Sequence, residues 1–160
     1  MEIRQPSRRI SQRGLKVWRI MGVINSLVLW VLIIILGVLT YFFDWPIWIT
    51  AAGAGLVIVL TILSIFVIPS IRWKRWRYEV SEHELELQHG VFFIHRTLVP
   101  MVRVQHVDTS QGPILKKYDL ATVSISTAAT VHEIPAVDIH EAEELRRSIS
   151  ALARVAEDDV

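Results

Sequence analysis

The sequence predicts an α+β chain, in which a hairpin of two transmembrane helices is followed by a mainly β domain and a closing helix. Three observations carry this. First, no charged residue occurs among the 24 positions Ile20 to Phe43 or the 27 positions Trp45 to Ile71. About 20 apolar residues in a helix cross the ~30 Å hydrocarbon core, so each block suffices alone. Second, from Tyr78 onward the pattern turns to period two, the signature of half-buried strands. Third, the last twenty residues restore helical spacing behind a capping signal.

The first block begins after a polar Ser/Arg/Gln-rich stretch, residues 1–16, which reads as a mobile cytoplasmic tail. A cleaved secretory signal would have an apolar core of about 7–15 residues ending in small side chains. This run is longer and closes on Tyr41-Phe42-Phe43, so no cleavage is expected. In lipid the backbone must satisfy its own hydrogen bonds, which requires helices, here about 20–43 and 46–69 in the hairpin 17–71. Pro46 suits the first turn of the second helix and Pro69 its end. Gly37 on one helix and Ala51, Gly53 and Gly55 on the other fall at similar depths and predict a close approach. Asn25 is the only strongly polar side chain in either block. Ion and proton pathways leave ionisable groups at depth, so a transporter made by this chain alone is disfavoured.

Charge sets the expected orientation. Arg4, Arg8, Arg9, Arg13, Lys16 and Arg19 precede the first block, and Arg72, Lys74, Arg75 and Arg77 follow the second, whereas the elbow holds only Asp44. Basic flanks stay on the cytoplasmic side, so both termini are expected there in a multi-pass cell-membrane protein. Arg13, Lys16, Arg19, Arg72, Lys74, Arg75 and Arg77 then form a membrane-surface basic cluster. Trp18, Trp73 and Trp76 are expected as anchors at the inner interface, and Tyr41, Trp45 and Trp48 at the outer one. From Tyr78 on there are 14 acidic residues against 7 basic, so the soluble part is anionic and unsuited to nucleic acid. The chain has no cysteine, which removes disulfides, thiolate catalysis and thiolate metal sites.

Within 72–156 the strands read in order. Tyr78 and Val80, then Leu85 and Leu87, alternate with glutamates, and Gly90 turns ELELQ back against VFFIHRTLV. Pro100 interrupts before MVRVQHV. Gln111-Gly112-Pro113 marks a turn, with one helical turn over Ile114–Tyr118. Ala121 to Thr127 alternates most cleanly, and a last short strand spans His132 to Val137. Asp138 with Glu141 makes a capping-box arrangement. Ala142, Leu145, Ile149, Leu152 and Ala156 then share one helix face, and Glu157-Asp158-Asp159 reads as a frayed end.

The run RWRYEVSEHELELQHGVF, then VPMVRVQHVDTSQGPILKKYDLATVSISTA, then EIP and the last helix resembles the bacterial PH-like domain of YdbS-type membrane proteins. The likeness covers Val17 to Val155, and VQHVDTSQGPILKKYDLATVSI is its most specific part. It implies two antiparallel sheets, about seven strands in all, with a C-terminal helix across one open end. Such sequences carry glycine where this one has Asp119, and aspartate tolerates the left-handed turn implied there. The resemblance implies no catalytic residues.

Candidate chemistry is sparse. His106, Asp108 and Ser110 alternate along one strand, roughly 6.5–7 Å apart per pair, too far for the ~3 Å bonds of a triad. His83, His89 and His95 match no metal-ligand spacing and need not converge. The first domain loop, Ser81-Glu82-His83-Glu84, is acidic, opposite to what an inositol phosphate requires. No catalytic residue, metal or cofactor is therefore expected, and no small-molecule substrate is evident. The expectation is a non-catalytic membrane protein. Its cytoplasmic PH-like domain would serve protein–protein interaction or oligomeric assembly, with the lipid bilayer and another PH-like-domain membrane protein, or a second copy, as partners. The alternative is an accessory subunit of an export or envelope-stress complex.

Overall fold

The computed structural model describes residues 5–158, so Asp159, part of the end expected to fray, lies outside the described residues. The chain divides into two units, residues 18–71 and a second one made of residues 1–17 with 72–160.

Two helices are long and apolar enough to cross a membrane, α1 (Gln12–Phe42) and α2 (Ile47–Arg75), and the parts of them within 18–71 make up the first unit. α1 ends because Asp44 takes φ +52° and the Trp45 amide donates to the Thr40 carbonyl at 3.1 Å, a Schellman closure with aspartate where glycine is usual. Thr40 and Thr50 hydroxyls meet across the hairpin at 2.7 Å.

Two expectations for this unit change. α2 does not end at Pro69. It widens to π geometry over Leu63–Val67, with the Ile68 amide donating to Leu63, and runs on to Arg75. Proline has no N–H and its ring crowds the preceding turn, so one wide turn lets the helix pass it. The closest approach of the helices is also elsewhere. A Cβ on Gly22 would lie 2.5 Å from the Ser64 carbonyl oxygen, in the π turn. Gly53 meets Ile33 and Leu36 side chains and Gly37 meets Thr50, but Gly55 faces nothing within 4 Å.

The second unit holds seven strands among the described residues: β1 (Arg8–Arg9), β2 (Arg77–Val80), β3 (Glu84–His89), β4 (His95–Pro100), β5 (Val104–Ser110), β6 (Leu120–Thr127) and β7 (Val131–Asp138). One sheet has the order β1-β2-β3-β4 and the other β5-β6-β7, all pairs antiparallel. A short α3 (Pro113–Lys117) precedes β6, and α4 (Ile139–Asp158) closes the domain on β5 and the Met101–Arg103 turn. The core is Tyr78, Leu85 and Leu87 from the first sheet, Val123, Ile125 and Ile134 from the second, and Ala142, Leu145 and Ile149 from α4, all buried. Asp119 does adopt φ +53°, and its carbonyl accepts the Ile139 amide that starts α4. The Asp138 carboxylate caps that helix through the His140 amide at 3.4 Å, while Glu141 turns away to accept the Tyr78 hydroxyl at 2.7 Å.

The mobile tail is corrected. Arg8 and Arg9 pair with Tyr78 and Arg77 as the border strand of the first sheet. Pro6 and Ile10 are buried, and Ser11 donates its amide to Ala136 at 3.2 Å and starts α1 at Gln12 as its N-cap. Ala136 sits in a β-bulge at φ +53°, and a Cβ on Gly14 would come within 2.6 Å of its methyl. Polar composition hid this because the strap is held by backbone bonds, not by apolar periodicity.

Candidate interaction surface

Two strand borders meet in the second unit. β4 is an edge of the first sheet and β5 an edge of the second, joined by the tight Met101–Arg103 turn. Between them and the β6–β7 turn lies an open groove of about 880 Å³, lined by Leu98–Pro100, Val102–His106, Thr127–Thr130 and His132. Proline at 100 removes one ladder donor at the border, where a strand tolerates it. Leu98 and Val102 are exposed on its wall despite their apolar side chains. The far rim is held by turn bonds: the Thr127 amide donates to the Thr130 carbonyl at 2.9 Å, and the Thr130 hydroxyl lies 2.9 Å from His132 Nε2. Arg103 is the only formally charged side chain lining the groove among the described residues, and Gln105, His106, Thr127, Thr130 and His132 share its walls with Leu98, Val99 and Val102, so the surface is mixed polar and apolar. A smaller groove of about 250 Å³ runs beside α4, between β5 and Ser150, Ala153 and Arg154.

The other candidates resolve as follows. His106, Asp108 and Ser110 are exposed along β5, opposite Ser126, Ser124 and Thr122, with no hydrogen bond joining them among the described residues. The Ser81–Glu84 loop presents exposed Glu82 and Glu84. His83 lies at the far end of β3 from His89, but strand register brings His89 and His95 face to face, with ring centroids 5.8 Å apart. Sequence spacing alone did not reveal that pair, because it arises only once the hairpin register is known.

The residues of the expected basic cluster make different local contacts. Arg13 is an ion-pair residue of the β domain, 3.0 Å from Asp138 and 3.3 Å from the Tyr118 carbonyl. Lys16 and Lys74 are exposed. The Arg19 guanidinium lies 5.8 Å from the Phe66 ring centre, within cation–π range. Arg72 is exposed, Arg75 donates to the Val91 carbonyl, and Arg77 is half-buried in β2.

The tryptophans divide likewise. Trp45 and Trp48 are exposed, and Trp18 is half-buried. Trp73 donates its indole N–H to the Ser11 carbonyl at 3.1 Å. Trp76, expected as an interfacial anchor, is 4% exposed and stacks on His89 at 5.9 Å. An ordinary alternating strand puts Tyr78 inward, and the same alternation carries Trp76 into the core.

Two titrating groups stand out. Burial, then the hydrogen bond and charge of Glu141, push the Tyr78 phenol well above its usual value. Burial first, then the charges of His95, Arg72 and His132, hold His89 below 6.5. The unfolded chain therefore binds a proton before the folded one does, so stability is complete above about pH 6.5 and falls as pH drops through the lowered value. Thermal unfolding of the full chain in detergent should show the melting temperature falling between pH 7 and pH 5. His89→Phe, which keeps a ring against Trp76, should flatten that fall. An equal fall in both proteins would remove His89 as its source.

An apolar helical hairpin and a two-sheet domain capped by a helix define a membrane protein of PH-like architecture. The chain belongs to the bacterial PH domain family, whose model matches residues 13–153. It is 56% identical over 156 residues to the UPF0699 transmembrane protein YdbS of Bacillus subtilis (strain 168), covering 98% of both chains. It is 26% identical over 98 residues to the UPF0699 transmembrane protein YdbT of the same organism, covering 58% of this chain and 20% of that protein. No solved structure matches.

Proposed function

We infer that this chain is a non-catalytic, multi-pass protein of the cell membrane, with both termini cytoplasmic, whose PH domain binds a protein partner through the β4–β5 groove. The basic flanks of both apolar blocks support the orientation. The observation that carries the binding role is the juxtaposition of two sheet edges around an open groove of mixed polar and apolar lining. A strand edge supplies backbone donors and acceptors to an extended segment, and the pockets beside it select side chains. The fitting partner is a second copy or another membrane protein with PH domains. The likeness to part of the longer protein YdbT makes the latter reasonable, because related domains then occur in separate membrane chains.

A photo-crosslinking residue at Leu98, in native membranes under gentle detergent, should give an adduct of twice the chain mass or with a bacterial-PH membrane protein. Leu98→Asp together with Val102→Asp should lower co-purification of that species at least tenfold while the melting temperature holds. Recovery of monomer alone would refute the reading.

A further inference from the structure

The β3–β4 turn carries an apolar tip that the strand pattern does not absorb. Val91, Phe92, Phe93 and Ile94, read from sequence as the start of a strand, stay outside the sheet, because β4 begins only at His95. Phe92 is 85% exposed, Phe93 78% and Ile94 56%. Three adjacent large apolar side chains at a hairpin tip are costly to leave in water, and isolated exposure of single residues does not account for them. The tip is also held in place. Arg75 donates to the Val91 carbonyl, and the Trp76 ring stacks on His89, which in turn faces His95 at the base of the hairpin. Gly90, at φ +133°, makes the sharp reversal that thrusts the two phenylalanines outward.

What covers such a tip is indicated by its tether. Arg75 stands four positions after Ile71, the last residue of the uncharged block, and Arg72, Lys74 and Arg75 share that stretch without an acidic residue. Basic side chains beside aromatic ones are the combination that anionic headgroups and the acyl boundary accept together. The Arg75–Val91 bond therefore ties the aromatic tip to the basic stretch that directly follows the second apolar block in sequence. We propose that the Phe92-Phe93-Ile94 tip inserts into the anionic membrane interface as a second attachment point for the PH domain. The proposal rests on the membrane reading but not on the partner groove, which uses the far end of β4 and its turn into β5.

The chain has no cysteine, so single labels are clean. Phe93→Cys, Glu82→Cys in the exposed β2–β3 turn and Ile58→Cys in α2 would each carry an environment-sensitive fluorophore. Each full-length protein would be reconstituted in vesicles of phosphatidylcholine and phosphatidylglycerol. The expected result is blue-shifted emission at 93, quenched by a lipid-borne spin label and protected severalfold from aqueous iodide, with position 82 showing the reverse. Introducing Phe92→Asp with a label at Ile94→Cys should abolish lipid quenching there. Equal iodide access at 93 and 82 would overturn the proposal. Protection from iodide at 93 without lipid quenching would also overturn it, in favour of a protein covering the tip. Position 58 separates the failures: lipid quenching at 58 but not at 93 sinks the tip alone, whereas loss at both sinks the membrane reading itself.

Discussion

Trp76→Ala is expected to destabilise the PH domain by about 3–5 kcal/mol, the usual loss for a large buried aromatic truncated to alanine. The residue is 4% exposed and stacks on His89 at 5.9 Å, with its amide donating to the Arg72 carbonyl at 3.0 Å. It therefore fills core space at the point where α2 ends and β2 begins. A domain of this size has a total stability of only about 5–15 kcal/mol, so such a loss removes a large part of it. Chemical unfolding of the full chain in detergent, followed by circular dichroism, should show a midpoint far below the parent. Trp76→Phe should recover most of the difference, since it restores a ring against His89. A midpoint unchanged in the alanine variant would mean that this indole is an interfacial anchor after all.

The second large effect is expected at Gly90. An added Cβ would stand 1.8 Å from the Phe93 carbonyl oxygen, and φ is +133°, which L side chains avoid. The backbone conformation alone costs about 1–3 kcal/mol, and the overlap with a main-chain atom can be relieved only by moving the turn. Gly90→Ala should therefore open the tip of the β3–β4 hairpin, raising amide hydrogen exchange over residues 88–96 by tenfold or more. Gly112→Ala is the matched control, because nothing lies within 4 Å of its added carbon and its φ is −75°. Similar exchange in the two variants would show that the turn is softer than its geometry implies.

The parts of this molecule legible in its sequence are those governed by periodicity. The two uncharged blocks became α1 and α2, and the alternation Ala121 to Thr127 became β6. The apolar stripe Ala142-Leu145-Ile149 became the buried face of α4, because each is set by one dominant local pattern. Even a departure such as Asp119 was readable, since its short polar side chain suits the positive φ it adopts. What escaped is non-local. Arg8 and Arg9 join β2 across about seventy residues, and nothing in their neighbours announces a strand. Ser11 was the available signal, a good N-cap immediately before helical residues. Trp76 looked like an anchor because tryptophan beside arginine at a helix end is typical of interfaces, yet strand alternation decided its direction. The apolar run after Gly90 misled for the same reason in reverse. The groove was legible only as a general property of sheet edges, since its walls come from β4, β5 and the β6–β7 turn, which only the fold brings together.

The border strand at Arg8–Arg9 has a consequence for biosynthesis. Its partner, Tyr78 with Arg77, leaves the ribosome some seventy residues later, after both hydrophobic helices have been made. At the usual pace of translation, about 5–20 residues per second, residues 8–11 must wait several seconds before their site exists. Ala136, which receives the Ser11 amide, comes later still. Residues 8–11 thereby act as a clasp on the domain, one that can close only after β2 and β7 have been made.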